Sequence, residues 1–271
     1  MSAVVHARQT RSSFSSYRHS LWLLTTRDLK VRYSTSFLGY FWSILDPLVM
    51  AGIYWVVFTQ IFDRGKPFEQ PYIVFLLTAL LPWTWFNGVV SDATRAFSKE
   101  AKLIRSTKIP RTIWVARLVL SKGIEFLVSL PVIIFFALIS QVTADPAHLH
   151  WQVVLVPLAV VMEAALALGV ALIVAPLVVF FNDLERAIKL GLRFLFYASP
   201  IVYGLEAVPN HLRLLSAVNP ISGIFSIYRA SFFPKELNWS DVGTSGIVTA
   251  VILIVGILVF RRTVPTVLKE I

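Results

Sequence analysis

Six stretches of the chain carry enough consecutive apolar residues to cross a bilayer as helices: 37–62, 72–90, 113–140, 153–181, 190–208 and 243–260. A hydrocarbon core of about 30 Å takes about 20 such residues at the helical rise. The fifth stretch is the weakest, because Pro200 and Gly204 interrupt it. The pattern predicts an all-α integral membrane protein with six transmembrane helices. They would occupy a membrane domain of residues 37–262, flanked by a mobile tail (1–16), an amphipathic helix (17–36) and a short C-terminal tail (263–271).

Composition supports this and adds an orientation. Of the 271 residues 56% are hydrophobic and only 15% are charged, yet 25 Lys and Arg face 15 Asp and Glu. So little charge excludes a disordered chain and a soluble nucleic-acid binder. The absence of cysteine excludes a disulfide scaffold and any thiol chemistry. Counted by connecting segment, 18 Lys and Arg fall in 1–36, 91–112, 182–193 and the tail from Arg261, against 5 in the alternate loops. The excess marks the cytoplasmic side. The first 36 residues lack the apolar core and cleavage site of a signal peptide. Both termini are therefore expected inside, in the plasma (inner) membrane.

Three segments outside the spans carry pattern of their own. In 17–33, Trp22, Leu29 and Tyr33 fall on one helical stripe, with Arg27 and Lys30 away from it. This reads either as a helix lying in the interface or as a solvated basic lead-in. The segment 91–112 is helix-prone as far as Arg105 and stopped by Pro110. It carries Phe97, Leu103 and Ile104 among its charges, which suits a surface for a cytosolic partner or a polybasic contact with anionic lipid. The outer segment 204–242 is apolar but broken by Pro209, Pro220 and Pro234, as expected of short helices packed on the bundle.

Asp46, Lys122, Glu125 and Glu163 lie within the spans and must face protein or water. Lys122 and Glu125, three apart, can neutralise each other. Asp46 precedes Pro47 and is placed to cap a following half-helix, while Glu163 has no local partner. Arg117, near a span end, can reach the interface. Satisfied interior polar groups and an ion relay both remain open for the set. Aromatic residues crowd the first span (Tyr54, Phe58, Phe62), the second (Trp83, Trp85, Phe86) and the fifth (Phe194, Phe196, Tyr197, Tyr203). They read either as lipid-facing packing with interfacial anchors or as a conduit whose ring faces stack on sugar C–H faces. No glycine opens a phosphate-binding G-x-x-x-x-G-K-[ST] loop, and neither the histidines nor the outer acids have metal-ligand spacing. No enzyme active site is visible and no metal is expected.

Four stretches read together resemble a known family. They are Arg27-Asp-Leu-Lys-Val-Arg-Tyr33 leading to Phe37-Leu-Gly-Tyr-Phe-Trp42 and Asp46-Pro47; Leu103-Ile-Arg-Ser-Thr-Lys-Ile-Pro-Arg111; Phe181-Asn-Asp-Leu184 with Ala198-Ser-Pro-Ile-Val-Tyr203; and Asn219-Pro220 with Tyr228-Arg229. The ordered set, running from about residue 17 to the end, resembles the transmembrane permease of polysaccharide and polyol-phosphate ABC exporters, which move O-antigen, capsule, teichoic acid or galactan. The resemblance implies a homodimer joined to two copies of a cytosolic ABC ATPase subunit, which binds ATP and Mg. No cofactor is expected on this chain. It implies an interface helix with Trp22, Arg27, Lys30 and Tyr33, and a coupling loop with Phe97, Lys102, Leu103, Ile104, Arg105, Pro110 and Arg111. It further implies a sugar conduit lined by Tyr40, Trp42, Tyr54, Phe58, Phe196, Tyr197 and Tyr203, and an outer gate with Asn219, Pro220, Tyr228 and Arg229. Lys102 and Ile109 stand where the family usually has Asn and Phe. The function implied is export of a lipid-linked polysaccharide. The alternatives are export of teichoic acid, another polyol-phosphate polymer, a lipid or a drug, and more remotely a membrane glycosyl- or acyltransferase or an ATP-independent transporter.

Overall fold

The computed structural model describes residues 13–34, 37–57, 71–142, 146–181, 183–204 and 218–270. Among them the secondary structure is helical, with no strand. The helices are α1 (Ser13–Tyr33), α2 (Trp42–Trp55), α3 (Tyr72–Ala93), α4 (Ala101–Ser106), α5 (Ile113–Ser140), α6 (Val156–Phe180), α7 (Asp183–Ala198), α8 (Pro220–Ala230) and α9 (Trp239–Glu270). A 3₁₀ turn, Trp151–Leu155, leads into α6.

Four helical segments are long and apolar enough to cross a membrane: Tyr72–Ala93, Ile113–Ser140, Trp151–Phe180 and Trp239–Lys269. They correspond to the second, third, fourth and sixth of the expected spans. The first and fifth fall short among the described residues. α2 has 14 residues. α7 has 16, and its first half bears Asp183, Glu185, Arg186 and Lys189. It ends at Ala198 because Pro200 lacks an amide N–H and biases Ser199 away from helical backbone. Of the predicted tail 1–16, residues 1–12 lie outside the described residues, as do the stretch 205–217 of the outer gate and Phe58, whereas Ser13 and the residues after it already belong to α1.

α3 forms the centre, buried along most of its length and touching α2, α5, α6, α7 and α8. The outer helices turn large apolar side chains outward instead: Leu127, Ile134, Phe135 and Leu138 on α5, and Ile247, Val251, Ile254 and Leu258 on α9. A patch of that extent suits lipid rather than water. α6 and α9 form the closest pair, because neither carries a side chain where they cross. A Cβ on Gly256 would lie 2.4 Å from the Gly169 carbonyl oxygen, and one on Gly169 would lie 2.9 Å from the Leu253 backbone. Such small-residue crossings replace the hydrophobic drive that lipid cannot supply.

Asp46 does not cap a half-helix. α2 runs through Pro47 without a break, which leaves Asp46 in the helix interior.

Candidate functional site

Three predicted aromatic clusters meet across the bundle. The Tyr54 ring of α2 stacks on Phe196 of α7, with centroids 5.8 Å apart. Phe196 also meets Trp83 of α3 edge-on at 5.6 Å and Tyr197 at 5.1 Å. These rings line an open groove of about 580 Å³ between α2, α3 and α7, with Asn87, Lys189 and Arg193 contributing polar groups to the same wall. Tyr203 lies just beyond, its hydroxyl donating to the Tyr197 carbonyl at 3.0 Å. Trp42 is exposed and lines no part of this groove. The Phe58 position and the Tyr40 side chain lie outside the described residues. Asn87, Lys189 and Arg193 carried no signal in the sequence, because they reach the groove only through the rotation of α3 and α7.

At one end of the bundle α1 is fastened by ion pairs as well as by the apolar side chains of Tyr17, Leu21 and Leu24, which pack on the core. Arg27 donates to Glu100 at 2.5 Å, and Arg32 bridges Asp92 of α3 at 2.7 Å and Glu125 of α5 at 2.9 Å. Arg117 of α5, only 3% exposed, donates to Asp28 and has Glu100 at 3.7 Å. This corrects two expectations. Arg117 does not reach for the interface, since its partners lie inside the protein. Trp22 and Leu29 do not share an environment either: Leu29 is buried, whereas Trp22 and Lys30 are exposed and Tyr33 is half-buried. Burial pushes the Asp28 carboxyl up from its usual range despite the Arg117 and Arg27 charges. At Glu100 burial acts the same way, but the Arg27 hydrogen bond with the Arg117 and Arg27 charges outweighs it and holds the carboxyl low. Lys122 and Glu125 pair at 2.9 Å, as their spacing predicts.

The segment 94–112 folds back on this end. Phe97 and Ile104, expected on a partner surface, are buried within the chain, with Phe97 packed on Phe260 of α9 at 6.1 Å. The reason is that apolar groups on a short loop find the bundle's own core before any partner. Leu103 is half-buried. Arg111 turns inward, its Nη1 donating to the Ile104 and Thr107 carbonyls at 2.7 and 3.2 Å, which closes the end of α4. Lys102, Arg105 and Pro110 remain exposed, beside Lys99 and Lys108. Arg95 ties the segment to α7, donating to Glu185 at 2.5 Å. Held by Arg95 and then Lys189, the Glu185 carboxyl is drawn down to about 2.

At the opposite end α8 is pinned on three sides. Asn219 is its N-cap, accepting from the Ile221 N–H at 3.1 Å, while its amide donates to the Ser199 hydroxyl at 2.8 Å. Pro220 follows at the first helical position, where no N–H is missed. The Tyr228 hydroxyl donates to Glu163 of α6 at 2.8 Å, which supplies the partner absent from the Glu163 neighbourhood in sequence. The other Glu163 oxygen has no protein partner. Arg229 is buried over the Phe75 ring, 3.8 Å from its centroid, and donates to the Ile201 carbonyl at 2.8 Å.

Comparison with known proteins adds a family. The ABC-2 type transporter family matches residues 19–233. The O-antigen export system permease protein RfbA of Klebsiella pneumoniae is 32% identical over 240 residues, covering 89% of this chain and 90% of that protein. RfbA of Myxococcus xanthus is 30% identical over 223 residues, with 82% and 83% covered. The polysialic acid transport protein KpsM of Escherichia coli is 24% identical over 261 residues, with 93% and 96% covered.

Proposed function

On the premise that the chain belongs to the ABC-2 type transporter family, we propose that it is the membrane permease of an ATP-driven exporter carrying a lipid-linked polysaccharide across the inner membrane. Relatives named for O-antigen export, at 30% and 32% identity along most of their length, support this cargo class. ATP and Mg belong to a separate ATPase subunit, and two copies of each chain make the working unit. In this reading the apolar stretches 37–62 and 190–208, to which α2 and the second half of α7 belong, are the first and fifth of six spans in each half of the path. The end bearing α1 and α4 faces the cytoplasm, in line with the 18 to 5 bias of basic residues.

The observation that carries the reading is the Tyr54–Phe196 stack. It joins α2 to α7 in a groove walled by Trp83 and Tyr197. Flat apolar ring faces hold sugar C–H faces without directional bonds, so a glycan slides rather than lodges. Lys189 and Arg193 at the groove wall suit the anionic linkage between lipid and glycan. Lys102, Arg105 and Pro110, exposed beside the ion-paired α1, form the face that receives the ATPase. Asn219, Pro220, Tyr228 and Arg229 hold the outer gate helix α8.

The test is export of labelled glycan by cells, or by vesicles holding this chain and an ABC ATPase subunit. Export is expected only with both subunits, and Tyr54→Leu with Phe196→Leu should lower it while the subunits still co-purify. Movement of the glycan by this chain alone would overturn the proposal.

A further inference from the structure

Beside the aromatic groove lies a second, polar cavity of about 170 Å³, lined by Ser43 and Asp46 of α2, Thr84 and Trp85 of α3, and Lys122, Glu125, Phe126 and Ser129 of α5. Thr84 lines both spaces, so they meet at one residue. The volume takes about five waters at roughly 30 Å³ each, which is the scale of one sugar ring.

The hydrogen-bonding capacity of this cavity is specific. Glu125 is committed, with one oxygen accepting from Arg32 and the other from Lys122, both at 2.9 Å. The Thr84 and Ser129 hydroxyls spend their protons on the Leu81 and Phe126 carbonyls, both at 2.7 Å, leaving acceptor lone pairs. Asp46 is exposed and, among the described residues, makes no hydrogen bond or ion pair. Its carboxylate does not belong against lipid. Lys122 gives one N–H to Glu125 and keeps two. Its stem lies over Gly88, where a Cβ would come within 3.1 Å of it. The cavity thus offers a free carboxylate, two hydroxyl acceptors and an ammonium donor, walled by Trp85 and Phe126.

We propose that this cavity is a sugar-recognition subsite of the export path, taking one uncharged hexose-type ring through its hydroxyls. The inference rests on the export reading above and names where the glycan is read rather than merely guided. A hydroxyl both donates and accepts, so adjacent hydroxyls satisfy Asp46, Thr84 and Lys122 together. The ionised diphosphate diester that links lipid to glycan has no proton to give Asp46, and the one carboxylate not already paired repels it, so the anionic linkage is disfavoured here. Discrimination follows because a ring lacking the matching hydroxyl forgoes the charge-assisted hydrogen bond to Asp46.

The full chain in lipid nanodiscs is tested by saturation-transfer NMR with methyl glycosides of glucose, galactose, mannose and rhamnose, with inorganic pyrophosphate as competitor. At least one glycoside should receive saturation. Its affinity should fall about tenfold in Asp46→Leu, the worth of one charge-assisted hydrogen bond, fall less in Thr84→Val, and persist in Tyr54→Leu. Asp46 is exposed, so its variant should keep the wild-type melting temperature, which is measured alongside. No transfer to any glycoside overturns the subsite. So does transfer that survives Asp46→Leu but is lost in Tyr54→Leu, a result that leaves the groove and the export reading standing. Displacement by pyrophosphate overturns the preference for an uncharged ring.

Discussion

The guanidinium of Arg117, buried in α5, donates to the Asp28 carboxylate on α1, and Glu100 stands 3.7 Å away on the loop before α4. One cation thereby holds three elements together. Breaking a buried pair strands a charge at a cost of about 3–5 kcal/mol. Asp28→Asn should cost about 3 kcal/mol, the lower end, since Glu100 still answers Arg117. Arg117→Leu removes the cation from both acids and should loosen α1 and the 94–112 segment together. Thermal unfolding in detergent, with proteolysis of α1 as a local readout, checks both.

Buried and exposed residues of the 94–112 segment should separate into two phenotypes. Phe97→Ala and Ile104→Ala remove core packing and should cost about 2–5 kcal/mol of stability. Lys102→Glu with Arg105→Glu alters only exposed side chains, so stability should shift by less than about 0.5 kcal/mol. Retention of the ATPase subunit should nevertheless fall. Pull-down beside a melting curve distinguishes them, and undiminished pull-down of the charge-reversed form would remove those residues from the docking face.

Gly256→Val and Gly169→Val should each force α6 and α9 apart, because the added carbons meet backbone rather than a side chain that can swing away. Overpacking of this kind costs about 1–3 kcal/mol or more. Gly191, with open space around its would-be Cβ, should accept Ala without loss. Yield of folded monodisperse protein measures the contrast.

Glu163→Gln keeps an acceptor for the Tyr228 hydroxyl and should be nearly silent. Glu163→Leu leaves that buried hydroxyl without its partner, at about 1–3 kcal/mol, and should free α8 from α6. Hydrogen exchange at the α8 amides is the measurement. Rapid exchange in the Gln form would show that the carboxyl's charge, rather than its hydrogen bond, holds the helix.

The Arg95–Glu185 contact should resist acid. With its folded value lowered to about 2, Glu185 supports the contact fully above the usual carboxylate range, and that support is lost only as the pH falls through about 2. An isotope-edited infrared carboxylate band, assigned by its absence in Glu185→Gln, should persist at pH 3. A band that titrates near 4.5 would show that the pairing does not hold in solution.

Much of this architecture was legible along the chain. Transfer into lipid is nearly additive over about 20 neighbouring residues, so the four long spans and the Lys122–Glu125 pair are local properties that sequence alone determined. The family followed from ordered local motifs in the same way. What only the tertiary structure decided depends on helix rotation and on partners far apart in sequence. Arg117 finds Asp28 across 89 positions, Tyr228 finds Glu163 across 65, and Phe196 finds Tyr54 rather than lipid. Phe97 and Ile104 are apolar on any count, yet whether they serve a partner or the core depends on whether the bundle leaves room for them. Phe260 of α9 meets Phe97 there, and the loop fills the space.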